Sequence, residues 1–182
     1  MSDDLDFTKP GGGKPPAPEK LAEARKEAGI STPRLAKAGF YVAMARHAQG
    51  GPVMPHEGPR HTILVIEDAP TLLKLVVEVL NTAGFKTRTA RNRAEINAEI
   101  NKSPLPDLLL LDVTLPDADG FQILERVRAA PKLAKMPVIM MTARSDVADI
   151  SHGLALNADG YVTKPFKINA LISAVGTVLG LE

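Results

Sequence analysis

The sequence predicts a doubly wound α/β sandwich built on five parallel strands, and three observations carry that prediction. Four short apolar runs, Thr62–Ile66, Leu108–Leu111, Val138–Met141 and, more weakly, Gly160–Val162, are nearly continuous rather than alternating. Such runs suit strands buried on both faces, as in a parallel sheet covered by helices. The segments between them carry apolar residues at helical spacing. Strand and helix candidates then alternate over the 122 residues from His61 to Glu182, as successive crossover units require.

Each element has its own local reason. Thr62–Ile66 is the first strand, and Ala69–Ala83 the first helix, with Leu72, Leu73, Val76, Val77 and Leu80 on one stripe. Pro70 suits the first turn of that helix and Gly84 its stop. Lys86–Ala90 (KTRTA) is a polar second strand of the kind a sheet edge tolerates. Arg91–Lys102 is the second helix, Leu108–Leu111 the third strand and Phe121–Ala130 the third helix, for which Asp119 suits the cap. Val138–Met141, Asp146–Leu156, Gly160–Val162 and Lys167–Leu179 complete the alternation.

The first 60 residues differ in kind. They hold 8 of the 15 Pro and 8 of the 14 Gly. Residues 1–18 have few large apolar groups to offset the ordering of the backbone and are expected to be disordered. Residues 50–60 (GGPVMPHEGPR) are expected to be a linker. Between them Leu21, Ala24 and Ala28, then Leu35, Ala38, Tyr41 and Val42, recur near helical spacing. Gly29 would end one helix, and Ser31 or Thr32 before Pro33 would cap the next. Such a helical hairpin has too little apolar mass to be a domain alone. The expected organisation is therefore a largely disordered or weakly helical extension over 1–60 and one folded domain over 61–182.

Composition excludes several functions. Residues 1–60 carry nine basic and seven acidic side chains and residues 61–182 thirteen and fourteen, so no large positive field points to nucleic acid. The absence of Cys excludes disulfides, Cys-ligated zinc, iron–sulfur clusters and thiol nucleophiles. The four His are scattered and form no metal-like spacing. No apolar run reaches about 18 residues, and MSDDLDFTKPGGG is too acidic for a signal peptide, so a cytoplasmic location without membrane attachment is expected.

In a doubly wound sheet the ligand site lies beyond the carboxyl ends of the strands. Glu67 and Asp68 follow the first strand, Asp112 the third, Thr142 the fourth and Lys164 the fifth. In a 2-1-3-4-5 order the first and third strands are neighbours, which brings Asp68 close to Asp112. Clustered carboxylates repel one another unless a cation lies between them. Hard oxygen donors suit Mg²⁺, which keeps several waters, and the set is a candidate for metal-assisted phosphoryl chemistry.

These residues stand in the segments VIEDAP, LLLDVTLPDADGF, PVIMMTARSD and ADGYVTKPF, with separations of 44, 30 and 22 residues between Asp68, Asp112, Thr142 and Lys164. Over 61–182 the chain resembles the receiver domain of two-component response regulators, of the single-domain type with an N-terminal extension. The resemblance implies a flavodoxin-like (βα)5 sandwich with that same strand order. It implies that Asp112 is the phosphoacceptor, attacking a phosphohistidine of a histidine kinase or a histidine phosphotransfer protein. It implies Mg²⁺ held by Asp68, Asp112 and the backbone carbonyl of Thr114, with Glu67 acting through water. Lys164 would contact a phosphoryl oxygen, Thr142 would hydrogen-bond another, and Tyr161 would swing inward behind it as the second switch residue. A cis Lys164–Pro165 bond is expected by the same resemblance.

Plainer roles stand beside these. Asp112 could cap a turn, Glu67 face solvent, Thr142 merely end a strand and Tyr161 pack statically. Thr114 and Arg144 occupy positions that modulate phosphoryl lifetime in the family. Because the sequence ends at Glu182 after the fifth helix, no C-terminal output domain is expected. Output would then come from contact with a downstream protein or from phosphate relay, with phosphorylation-dependent dimerisation left open. The protein is expected to be a switch rather than an enzyme. Two alternatives are a phosphate sink for a kinase and a transcriptional regulator. The second rests on residues 19–49, whose ARKEAGISTPRLAKAG faintly resembles a helix-turn-helix and which hold six basic and three acidic side chains. A nucleic-acid partner is not the main expectation.

Overall fold

The structure, a computed structural model, describes residues 6–7, 34–36, 40–42, 61–143 and 156–181. Their elements in chain order are β1 (Arg34–Ala36), β2 (Phe40–Val42), β3 (Thr62–Ile66), α1 (Pro70–Thr82), β4 (Lys86–Ala90), α2 (Arg93–Ile100), β5 (Leu108–Asp112), α3 (Gly120–Ala129), β6 (Val138–Thr142), β7 (Gly160–Thr163) and α4 (Ile168–Leu179). They fall into two compact units, one of residues 6–7 and 61–136 and one of the remainder.

In the first unit β3 is central and parallel to both neighbours, with Ile63 opposite Thr87 of β4 and Leu108 of β5. Ile63 to Ile66 and Leu108 to Leu111 have no exposed surface, as the continuous apolar runs require. β4 keeps Lys86 and Thr89 exposed, as an edge-type strand does. Helix α1 opens on Pro70 and buries Val76 and Leu80. It stops at Gly84, whose φ of +94° is a left-handed value that a side chain would strain. The N–H groups of Gly84 and Phe85 return to Asn81 and Leu80, satisfying carbonyls the helix end leaves over. Helix α2 starts later than its apolar spacing suggests because Asn92 caps it. The Asn92 side chain accepts the Glu95 N–H at 2.9 Å, and the Glu95 carboxylate reaches back to Asn92 Nδ2 at 3.2 Å. Asp119 caps α3 as expected, accepting the Phe121 N–H at 2.7 Å.

Phe7 is a correction to the expected disorder of residues 1–18. It belongs to the first unit and is 1% exposed. The other residues of that segment lie outside the described ones.

In the second unit β6 and β7 are parallel, with Met140 opposite Tyr161. Helix α4 buries Ala170, Leu171, Ala174, Val175 and Val178. β2 pairs antiparallel with β7, placing Tyr41 opposite Tyr161, and β1 pairs antiparallel with β2. This corrects the helix expected around Leu35–Val42: Arg34–Ala36 and Phe40–Val42 are strands. β2 is set by pairing with a strand 120 residues away, Tyr41 with Tyr161, and β1 in turn by pairing with β2, and local spacing cannot report that. The helix expected over 146–156 lies outside the described residues except Leu156, a turn residue; the first expected helix near Leu21 and the linker over 50–60 lie outside them entirely.

Two carboxylates unremarked in the sequence lock strand starts in the same way. Asp107 Oδ2 accepts the Thr62 N–H at 2.7 Å, while the Asp107 N–H donates to the Thr62 carbonyl at 2.8 Å. Asp159 Oδ2 accepts the Val138 N–H and the Asp159 N–H donates to the Val138 carbonyl, both at 2.8 Å. Each Asp stands one residue before its strand and extends the ladder at the amino end.

Candidate functional site

The parallel register of β3 and β5 pairs Ile66 with Leu111, so the next residues, Glu67 and Asp112, leave the sheet side by side. Asp112 is 5% exposed and Glu67 1%, while Asp68 is exposed. One carboxylate oxygen from each of the three lies within 4.8 Å of the others. Glu67 is fixed by its N–H to the Ala90 carbonyl at 3.1 Å and by its Oε1, which accepts the Ala69 N–H at 3.2 Å. Asp112 Oδ1 accepts the Thr114 N–H at 3.2 Å.

The loop after Asp112 is held on several sides. Thr114 bridges to Asp119, the Leu115 N–H reaches the Ala118 carbonyl at 3.3 Å, and the Gly120 N–H reaches the Val113 carbonyl at 2.8 Å. Gly120 permits this closeness. A Cβ there would lie 2.3 Å from the Asp112 carbonyl oxygen and 2.8 Å from Val113 Cα. Asp117 fastens the loop to α2: its carboxylate accepts the Arg93 N–H at 3.1 and 3.2 Å, and its carbonyl accepts Arg93 Nε. Thr114 itself is exposed.

Three carboxylates this close repel, and a hard divalent cation relieves the repulsion. The donor set fits Mg²⁺: oxygen only, two groups buried and one open to solvent.

The other expected residues lie in the second unit. Thr142 ends β6 and is 1% exposed, and its carbonyl accepts the Lys164 N–H at 2.6 Å. Lys164 follows β7 and the Lys164–Pro165 bond is cis, as expected. Tyr161 lies within β7 with no exposed surface. Arg144 lies outside the described residues. Glu67, Asp68, Asp112 and Thr114 are thus brought together in the first unit, and Thr142 and Lys164 are joined through backbone in the second. Two features went unread in the sequence, the tie from Arg93 to Asp117 and the clearance at Gly120. A glycine between a capping Asp and Phe121, where a better helix former would serve, was the available signal for the latter.

Among the described residues no helix is long and apolar enough to cross a membrane. The family model of the response regulator receiver domain matches residues 63–176. The transcriptional regulatory protein GltR of Pseudomonas aeruginosa is 37% identical over 118 residues, which cover 65% of this chain and 48% of that protein. The chain spans about half the length of the curated relatives it matches. A signal receiver domain of a signal transduction histidine kinase from Syntrophus aciditrophicus is 34% identical, with a TM-score of 0.60, covering 65% of this chain and 89% of that one. The chemotaxis protein CheY4 of Vibrio cholerae is 26% identical, with a TM-score of 0.62, covering 66% of this chain and 99% of that one. The fold is accordingly the doubly wound, flavodoxin-like α/β sandwich, with five parallel strands in the order 2-1-3-4-5 when counting starts at β3.

Proposed function

The chain belongs to the response regulator receiver domain family, and from that premise we propose that it is a phosphorylation-activated signalling switch with Asp112 as phosphoacceptor. The observation that carries the proposal is the convergence of Glu67, Asp68 and Asp112 at the ends of two adjacent parallel strands, with ligand oxygens within 4.8 Å. A carboxylate oxygen of Asp112 attacks the phosphorus of a phosphohistidine. The P–O bond forms as the P–N bond breaks, and the departing imidazole takes a proton. Asp68, Asp112 and the Thr114 carbonyl would hold Mg²⁺, with Glu67 reaching it through water. When bound, the ion offsets negative charge on the transferring group. Lys164 supplies an ammonium for a phosphoryl oxygen, and the Thr142 hydroxyl donates to another. Tyr161 is the second switch residue, by which occupancy of Asp112 alters the protein's surface.

The donor is a sensor histidine kinase or a histidine phosphotransfer protein, and the folded receiver spans 61–182 in the cytoplasm. Output runs through contact with another protein or through phosphate relay. GltR is a transcriptional regulatory protein, which keeps a DNA-binding output as the second reading. The strands at Arg34–Ala36 and Phe40–Val42 count against a helix-turn-helix over 19–49. A low-salt gel shift with generic duplex separates the two, since a DNA-binding segment retards the duplex at micromolar protein.

The direct test is incubation of the full chain with Mg²⁺ and acetyl phosphate, followed by mass spectrometry. One phosphoryl group is expected on Asp112, none on D112N, and none when Mg²⁺ is chelated. Uptake by D112N at the wild-type rate would overturn the assignment.

A further inference from the structure

Phe7 is the feature that neither the fold nor the phosphoacceptor explains. It is a lone aromatic in MSDDLDFTKPGGG, and nothing in that composition predicts burial, yet it is 1% exposed. Two helices read the main chain of Asp6 and Phe7. The Phe7 N–H donates to Asn97 Oδ1 on α2 at 3.0 Å, and the Phe7 carbonyl accepts Arg93 Nη1 on α2 at 3.4 Å. The Asp6 carbonyl accepts Arg126 Nη1 on α3 at 3.0 Å. Charge agrees with this arrangement, since Asp3, Asp4 and Asp6 lead into Phe7 and the receiving helices present Arg93 and Arg126. A buried aromatic with satisfied main-chain groups on both sides is how a short docked peptide is held.

Arg93 gives the dock a consequence. The guanidinium that donates to the Phe7 carbonyl also donates through Nε to the Asp117 carbonyl and through Nη2 to Gln122 Oε1 at 3.4 Å. Asp117 lies in the loop between Asp112 and α3, whose closure depends on the Thr114–Asp119 bridge and on Gly120. One side chain therefore ties the N-terminal segment to the loop that carries Thr114.

We propose that the face formed by α2 and α3 is a docking surface whose occupant is the Asp6–Phe7 segment of this same chain, and that docking holds the acceptor loop in its binding-competent form. The regulatory half rests on the reading of Asp112 as phosphoacceptor; the docking half does not. Coupling of this kind is reciprocal: a docked segment tightens binding at the carboxylates, and occupancy there tightens the dock.

The test uses the full chain and F7A, with F7L as the conservative variant. Hydrogen exchange without Mg²⁺ reads docking: F7A speeds exchange in 93–100 and 120–127, and F7L restores part of the protection. Beryllofluoride titration in Mg²⁺ reads coupling: F7A weakens apparent affinity by about fivefold, at the low end of typical coupling. Unchanged exchange in F7A overturns the dock. Faster exchange with affinity unchanged within twofold overturns the coupling and leaves the dock. Protection that falls on dilution assigns the occupant to a second copy and overturns docking in cis. A wild-type chain that binds no beryllofluoride refutes the acceptor reading and the coupling with it, while the exchange data still decide the dock.

Discussion

Gly120 offers a substitution whose sign separates two lines of reasoning. Propensity alone favours G120A, because Gly within a helix is worse than Ala by up to about 1 kcal/mol. The local geometry opposes it. The added Cβ would stand 2.3 Å from the Asp112 carbonyl oxygen and 2.8 Å from Val113 Cα. Both are backbone atoms, so no side chain can turn away, and the start of α3 must retreat from β5 by about an ångström to reach ordinary contact. That retreat stretches the 2.8 Å bond from the Gly120 N–H to the Val113 carbonyl. Overpacking of this kind costs about 1–3 kcal/mol, and a lost hydrogen bond adds roughly 1 kcal/mol. After allowance for propensity, G120A is expected to be about 1–3 kcal/mol less stable than wild type. Urea denaturation followed by circular dichroism reads this as a midpoint lowered by roughly 0.5–1.5 M at unchanged slope, for a slope near 2 kcal/mol per M. Gly84 serves as the comparison. A Cβ there meets nothing within 4 Å, and only its φ of +94° resists a side chain. G84A should therefore lose about 1 kcal/mol through backbone strain and leave the site untouched. A G120A midpoint at or above wild type would refute the close-approach argument. So would an acetyl phosphate labelling rate equal to that of G84A.

Asp159 is 2% exposed and accepts the Val138 N–H at 2.8 Å; D159A removes that acceptor and is expected to lower stability by about 1–3 kcal/mol in the same denaturation assay. The hydrogen bond from the Arg91 side chain holds the Glu95 carboxyl below its ordinary value, with the Arg91 N–H and Asn92 side chain adding to the effect against slight burial. The sign follows from linkage: a carboxyl depressed in the folded state contributes stability above its unfolded pKa, and that contribution is lost as pH falls through the lower folded value. NMR titration of Glu95 should show the depression in wild type and a smaller one in R91A, which keeps the main-chain N–H and Asn92, with only a small stability effect because the Arg91–Glu95 pair is exposed.

What the sequence could reveal follows from the range of the interaction concerned. Leu108 to Leu111 read correctly as a strand because burial on both faces leaves a local mark. Lys86–Ala90 read correctly because its β-compatible polar residues lie between two helix signals. Asp119 and Pro70 read correctly because caps act within one turn. Residues 35–42 failed on the same logic. Strands of three residues are too short for an alternating pattern to identify them, and the spacing of Leu35, Tyr41 and Val42 fits a helix equally well. Phe7 failed because composition averages over a segment, whereas its burial depends on one ring and on Asn97, 90 residues away. At the site, residue types and strand ends were legible in Glu67, Asp68 and Asp112, but the clearance at Gly120 was not. It depends on two backbones meeting in space.

The same residue type does opposite work at the two ends of these strands, and the cause is what each end offers it. Before a strand, Asp107 and Asp159 each accept a main-chain N–H of the neighbouring strand, at 2.7 and 2.8 Å, so their charge closes a ladder and stabilises the fold. After a strand, Glu67 and Asp112 also receive N–H groups, from Ala69 and Thr114, but at 3.2 Å and from their own turns. Against that stands mutual repulsion. For charges at that 4.8 Å limit it is about 3.5 kcal/mol per pair at an effective dielectric of 20, somewhat above the roughly 1.5–3 kcal/mol of a charged hydrogen bond. The carboxyl edge therefore holds an unfavourable energy that the amino edge does not, and a cation relieves it. On the proposed reading, this repulsion makes the site answer to Mg²⁺, whose charge would also offset that of an incoming phosphoryl group. The tight loop around Gly120 and the tie from Arg93 to Asp117 keep the repelling groups from simply moving apart.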